Sequence, residues 1–137
     1  ERIAARMPGS LSFAAAASMP LTSITAWELL FDRLQVPLER AASLLIIGAA
    51  GGVGSMLIQL ARQLTQLRII ATASRAETRA WVRSLGAHQV IDHRRPLAAQ
   101  LQAVGLSQVD YVAGLTHTAE HLAAIAEIIA PQGRLLV

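Results

Sequence analysis

The chain of 137 residues contains no cysteine, no lysine and no asparagine, and aromatic residues make up only 4% of it. Each absence closes a route. Without cysteine there is no disulfide, no thiolate nucleophile, no iron–sulfur cluster and no cysteine-ligated zinc. Without lysine there is no Walker-type phosphate loop, no Schiff-base chemistry and no Tyr-x-x-x-Lys acid pair. Charged residues are sparse at 15%, against 53% hydrophobic, a balance that fits one globular domain with a substantial buried core.

The missing lysine also reconciles a pI of 11.0 with a net charge of only +3. Every positive side chain is an arginine, and between neutral pH and the arginine range only Tyr111 is left to lose a proton. The pI is high for want of titrating groups. The arginines are spread along the chain, with Arg94-Arg95 the only adjacent pair, whereas a nucleic-acid surface needs a clustered basic face. No nucleic-acid partner is expected. Nothing resembles a signal peptide, so a cytoplasmic protein is expected. The chain opens on Glu1 and stops at Val137 inside an apolar run, which suggests a portion of a longer protein.

From Ala41 to Ala61 run 21 residues without a charge, long enough for a membrane span, and Gly48 with Gly52 makes a G-x-x-x-G spacing. The glycines argue otherwise, since Gly48, Gly51, Gly52 and Gly54 would each weaken a helix by about 1 kcal/mol relative to alanine. Two periods meet there. Ser43 to Ile47 suits a strand buried on both faces, and Val53, Met56, Leu57, Leu60, Ala61 and Leu64 then recur at helical spacing. The segment is strand, tight turn and amphipathic helix, and no membrane partner is expected.

The unit repeats. Arg68–Ala73 is a second strand, followed by a helix from Ala76 to Leu85 with Trp81, Val82 and Leu85 inward and Gly86 as its stop. Gln89–Asp92 is a third strand, and Pro96 opens a helix carrying Leu97, Leu101 and Val104, closed by Gly105. Val109–Ala113 is a fourth strand and Thr118–Ala130 a fourth helix, with Leu122, Ile125, Ala126 and Ile129 inward. Pro131-Gln132-Gly133 turns into a fifth strand, Arg134–Val137. Strands alternating with helices predict an α/β fold, a doubly wound parallel sheet with right-handed crossovers. Residues 1–40 form a helical lead-in: Ser12 can cap a helix through Met19, and Thr22 or Ser23 a second, with Ile24, Trp27, Leu30, Phe31 and Leu34 on one face until Pro37.

The first strand leads into Gly48-Ala49-Ala50-Gly51-Gly52-Val53-Gly54 and a helix. Aligned on its last two glycines, the dinucleotide fingerprint G-x-G-x-x-G becomes Ala49-x-Gly51-x-x-Gly54, with the first glycine replaced. Gly51 still lets a pyrophosphate approach the backbone, Gly54 still permits close helix–strand contact, and the helix N-terminus still offers free amides. The alternative is a glycine-rich packing turn that holds no ligand. About 20 residues on, an acid would grip a ribose 2′-hydroxyl. The second strand ends in Ser74-Arg75 instead, a hydroxyl and a guanidinium suited to a 2′-phosphate, which favours NADPH over NADH. Glu77 is either a competing acid or a partner for the helix dipole. His93, just past the third strand, either reaches the same phosphate or is merely solvated. His88, His117 and His121 lack partners at ligand spacing, so no metal, and in particular no zinc, is expected.

Ala49-Ala50-Gly51-Gly52-Val53-Gly54-Ser55-Met56-Leu57-Ile58-Gln59-Leu60-Ala61 resembles the medium-chain dehydrogenase/reductase superfamily on its quinone-oxidoreductase side, as do Pro20-Leu21-Thr22-Ser23-Ile24-Thr25-Ala26-Trp27-Glu28-Leu29-Leu30, Leu85-Gly86-Ala87-His88-Gln89-Val90-Ile91-Asp92-His93 and Ala130-Pro131-Gln132-Gly133. The branch it most resembles is the zinc-type alcohol-dehydrogenase-like proteins. The resemblance implies a Rossmann nucleotide-binding domain over residues 41–137, in strand order 3-2-1-4-5 and lacking its last strand, within an NADPH-dependent reductase of quinones or activated enones. It places Thr25 near the nicotinamide and Ala50, Gly51, Gly52, Val53 and Gly54 at the pyrophosphate. Ser74, Arg75 and His93 would surround the 2′-phosphate, and Leu115 and Thr116 would border the ribose or nicotinamide. The family's substrate pocket is built largely by a domain that precedes Glu1, so no catalytic residue is expected in this chain.

Two other functions share the pattern. A Rossmann module could sense nucleotide or scaffold an assembly, and an S-adenosylmethionine enzyme shares the sheet but usually carries an acid at the second strand tip. In the 3-2-1-4-5 order the fifth strand is an open apolar edge, so a homo-oligomer is expected.

Overall fold

Apolar residues that alternate between two buried faces form the centre of the molecule. In strand β1 (Ala42–Ile47), Leu44 and Ile46 join the core on one side of the sheet, Leu45 and Ile47 the core on the other. An unbroken apolar run is what a strand covered on both faces requires. The computed structural model describes residues 5–137. The further strands are β2 (Leu67–Thr72), β3 (Gln89–Ile91), β4 (Val109–Gly114) and β5 (Ile129–Leu136). All pair in parallel in the order β3-β2-β1-β4-β5, the Rossmann-like α/β arrangement read from the sequence.

Helices close both faces. On the Leu44 side lie α3 (Gly52–Leu64), with Leu57, Ile58 and Ala61, and α4 (Ala76–Ser84), with Val82. Ala26, Leu30 and Leu34 of the lead-in complete that core. Leu97 and Leu101 of α5 (Leu97–Ala103) and Ile125 and Ile128 of α6 (Thr118–Ile128) cover the opposite face. Among the described residues no helix is long and apolar enough to cross a membrane.

Several local expectations need correction. Ser12 does cap α1 (Phe13–Ala17), its Oγ accepting the Ala15 amide at 3.2 Å, but that helix stops short of Met19. Helix α2 (Pro20–Trp27) begins ahead of Thr22 and Ser23, because proline fits the first helical position, where an N–H has no partner to lose. Thr22 instead donates its hydroxyl back to the Met19 carbonyl. The chain continues as a π-helix over Glu28–Arg33, ending as the Leu34 amide reaches the Leu29 carbonyl.

Trp81 is not inward. It is 50% exposed and donates its indole N–H to Ser55 Oγ at 2.9 Å, a partner that the apolar core cannot offer. Leu64, at the end of α3, is likewise exposed, while Ile58 is buried. In α6 the buried stripe is rotated onto Ile125 and Ile128, leaving Leu122 and Ala126 outside. That helix ends at Ile128, because Ile129 is already extended and starts β5 without a loop. Pro131-Gln132-Gly133 therefore lies inside β5, where the strand advances from Ile129 to Arg134 while β4 advances only from Val109 to Tyr111. A bulge of this kind, with Gln132 at φ 64°, is tolerated on an edge strand, which has no outer ladder to break.

Three contacts fix the sheet. Ser43 donates both its amide (2.8 Å) and its hydroxyl (2.7 Å) to Asp110 Oδ2, and the Asp110 amide returns a bond to Ser43 Oγ, locking the starts of β1 and β4. A β-carbon on Gly54 would stand 2.5 Å from the Ala49 carbonyl oxygen, so only glycine lets α3 lie this close to the end of β1. At β2, the Ile69 amide donates to His88 Nδ1 and the His88 amide to the Ile69 carbonyl, both at 2.9 Å.

Gly54→Ala is expected to destabilise the fold by roughly 1–3 kcal/mol, since the clash is with backbone, and denaturant unfolding measures it. Partial burial, followed by the charges of Arg62 and then Arg68, holds His88 below its ordinary pKa of 6.5. The unfolded chain thus takes up this proton first, and the contribution of His88, full above pH 6.5, is lost as the pH falls through its lowered folded value. Thermal melts of His88→Gln, whose amide oxygen accepts the same bond without titrating, should fall less between pH 7 and pH 5 than those of the parent chain.

Candidate functional site

The segments that leave β1, β2, β3 and β4 at their carboxyl ends line a cavity of about 500 Å³. It lies where the strand order reverses beside β1, the position at which open α/β sheets take ligands.

The floor is the glycine turn. Gly48 has φ +82°, and a β-carbon there would meet Thr116 Oγ1 at 2.6 Å, so the left-handed step falls one residue before the alanine that replaces the fingerprint's first glycine. Its amide donates to Thr72 Oγ1 at 3.2 Å, tying the turn to the end of β2. Gly51 differs in kind. A β-carbon on it would approach nothing nearer than the Gly48 carbonyl oxygen at 3.5 Å, leaving open space on the cavity side. Gly51 is also the N-cap of α3 and supplies no side-chain acceptor, which leaves the first amides of the helix for an anion.

The wall above β2 is Thr72, Ala73, Ser74 and Arg75, without an acid. Glu77 sits in the first turn of α4 and is not part of the lining, which fits a partner of the helix dipole. Arg79 reaches up from α4 and donates to the Ala73 carbonyl (3.0 Å) and the Val90 carbonyl (3.1 Å), fixing the spacing of the β2 and β3 ends. Beyond β3, His93 stands edge-on to His121 of α6, ring centroids 6.2 Å apart. Arg94 forms an ion pair with Asp92 at 3.1 Å.

Of the residues expected from the sequence, Ala50, Gly51, Ser74, Arg75, His93 and Thr116 share this lining. Thr25, Gly52, Val53, Gly54 and Leu115 do not. The Thr25 hydroxyl is bound to the Leu21 carbonyl, a β-carbon on Gly52 would meet Thr22, Gly54 packs on Ala49, and Val53 and Leu115 pack against the core. The cavity also uses Gly48, Thr72, Arg94, His117, Glu120 and His121, none of which the sequence reading assigned to a cofactor. Gly48 carried a signal, a glycine directly after a buried strand, and so did Arg94 beside His93. The approach of His121 to His93 had none.

The family described as zinc-binding dehydrogenase matches residues 52–137, more than half of the chain. The chain belongs to that family. A Rhizobium etli protein assigned as a zinc-dependent alcohol dehydrogenase is 58% identical, with a TM-score of 0.91 over 98% of this chain and 40% of its own. A zinc-type alcohol dehydrogenase-like protein of Staphylococcus aureus is 38% identical over 98% of this chain and 41% of its own length. The quinone oxidoreductase of Thermus thermophilus, solved also with NADPH, is 30% identical, with a TM-score of 0.75 over 94% of this chain and 41% of its own. The chain thus spans about two fifths of the length of these relatives, and it shares with them the medium-chain dehydrogenase/reductase superfamily.

The family's name implies zinc, and the residues present do not fit it. The chain has no cysteine, and among the described residues no group of three or more His, Asp or Glu side chains is placed to hold a metal ion. Behind the cavity-lining Arg94, the Asp92 carboxyl is lowered from 3.8 to about 2, first by the side-chain hydrogen bond from Arg94 and next by the Arg94 amide. Arg94→Ala should raise the Asp92 titration midpoint toward 3.8, read by carboxyl ¹³C NMR between pH 2 and pH 6.

Proposed function

We propose that the chain is the NADPH-binding part of an oxidoreductase that transfers hydride to a quinone or an activated enone. The observation that carries this reading is the tip of β2, where Ser74 and Arg75 line the cavity and no acid is present to receive a ribose 2′-hydroxyl. The NADPH complex of the Thermus thermophilus relative supports it.

On this reading the open face of Gly51 and the uncapped amides of α3 bind the pyrophosphate, with Ala50 alongside. Gly52, Val53 and Gly54 act beneath it, by setting the helix against β1. Ser74, Arg75 and His93 surround the 2′-phosphate, where a hydroxyl, a guanidinium and an imidazole all can donate. Thr116 borders the ribose at the point where it covers Gly48, with Leu115 next to it, and Thr25 faces the nicotinamide end. When bound, the reduced nicotinamide would supply the hydride, a hydrogen carried with its bonding electron pair, which no side chain here can deliver. No residue of this chain is assigned a catalytic role. The domain division at residues 40/41 follows the same reading.

Titration with both cofactors tests the proposal. NADPH is expected to bind more tightly than NADH, and Arg75→Ala to reduce that preference by up to roughly fivefold, the range of an exposed ion pair. Equal affinities in the parent chain would overturn the reading. Gly51→Ala should leave the melting temperature unchanged, because its β-carbon meets only ordinary contacts, yet weaken both cofactors by about tenfold by filling the space over the turn.

A further inference from the structure

Two arginines stand at the 2′-phosphate end of the cavity, and they are held differently. Arg75 is exposed and forms no ion pair among the described residues. Arg94 is fastened at several points. Its Nε donates to Asp92 Oδ1 at 3.2 Å, and its Nη2 donates to Asp92 Oδ2 at 3.1 Å and to the Ser74 carbonyl at 3.3 Å. The Arg94 amide adds a bond to Asp92 Oδ1 at 3.0 Å. Asp92 is itself anchored, its amide donating to Gln100 Oε1 and its carbonyl accepting from Gln100 Nε2, both at 2.8 Å.

A guanidinium has five N–H groups. The bonds above use the one on Nε and both on Nη2, leaving the pair on Nη1 free among the described residues. The side chain is 63% exposed and lines the cavity beside Ser74, Arg75 and His93.

We propose that Arg94, positioned by Asp92, is the principal determinant of preference for a 2′-phosphorylated dinucleotide, with its two Nη1 N–H groups as the donors presented to the phosphate. The inference rests on the NADPH reading above and assigns its specificity to a residue outside the Ser74-Arg75 pair. The physical reason is order. Arg75 must surrender the freedom of a long side chain to grip an anion, whereas Arg94 has already surrendered it to Asp92 and Ser74, so its bonds to a phosphate are made without that loss. Asp92 then acts through Arg94. A carboxylate at this mouth has two opposite effects on an anionic ligand: direct repulsion, and orientation of the cation. The bidentate geometry gives the second the greater weight.

Dissociation constants for NADPH and NADH, measured by fluorescence titration on the parent chain, Arg94→Ala, Arg94→Lys, Asp92→Asn and Arg75→Ala, test the inference. Arg94→Ala is expected to weaken NADPH by about tenfold or more while NADH changes by less than about twofold, and to cost more NADPH affinity than Arg75→Ala. Arg94→Lys, which keeps the charge but not the fork, should fail to restore it. Asp92→Asn should also weaken NADPH selectively. Equal loss for both cofactors in Arg94→Ala, no loss, or tighter NADPH binding by Asp92→Asn would overturn the inference. A parent chain that does not prefer NADPH would overturn the proposed function and this inference together, whereas a preference that survives Arg94→Ala would overturn this inference alone.

Discussion

With a β-carbon on Gly54 placed 2.5 Å from the Ala49 carbonyl oxygen, the first turn of α3 lies directly against the backbone of the turn that follows β1, with no side chain between them. The rest of the carboxyl edge is built on that contact. It sets the height of the helix N-terminus above the sheet, and therefore where its unpartnered amides lie relative to Gly51. It also leaves Gly48 as the one residue that can turn the chain out of β1, with Thr116 packed over it and Thr72 bonded to its amide. Three strand ends thus meet at one glycine turn. A side chain at either Gly48 or Gly54 would separate them.

Several of the arginines, the only permanently charged cations among the side chains, act as fasteners of backbone carbonyls. Arg79 spans two strand ends, Arg68 donates to the Val104 carbonyl, and Arg134 donates to the Leu34 carbonyl and Gln35 Oε1. Lysine, with a compact ammonium on a flexible stem, would hold such carbonyls less directionally. The absence of lysine therefore has a structural counterpart: fixed guanidinium donors bracket the sheet from β5 to the carboxyl ends of β2 and β3.

The sequence made legible whatever a one-dimensional period encodes. Leu44–Ile47 is apolar without alternation because both faces are covered, and the helical spacing after Gly54 follows from a single covered face. The period does not encode where the stripe begins, so Trp81, Leu64 and Leu122 were assigned inward although each lies at the flank or end of its helix. At the site, Gly51, Ser74, Arg75 and His93 were legible because each sits within two residues of a strand end or helix start. Gly48 was obscured by aligning the fingerprint on Ala49, one position past the left-handed step. The contact of His93 with His121 joins a strand end to a helix three elements later, and no local pattern records it. Leu115 shows the reverse: its place after β4 suggested the cavity, but its amide is drawn to the Ile47 carbonyl and its side chain into the core.

The bond from Arg134 to the Leu34 carbonyl, together with the Ser43–Asp110 lock, has a consequence for how the chain comes to its structure. β1 pairs first in sequence with β2, but its other edge belongs to β4, so the most apolar strand keeps one side open until residues after 108 have been made. During synthesis, β1, β2 and α3 can assemble early as a half-sheet. The cavity cannot, because Thr116 and His121 arrive after that half is built. In a chain growing from its N-terminus, the half-sheet precedes the cavity, and β5 then clips back to a lead-in made well before it.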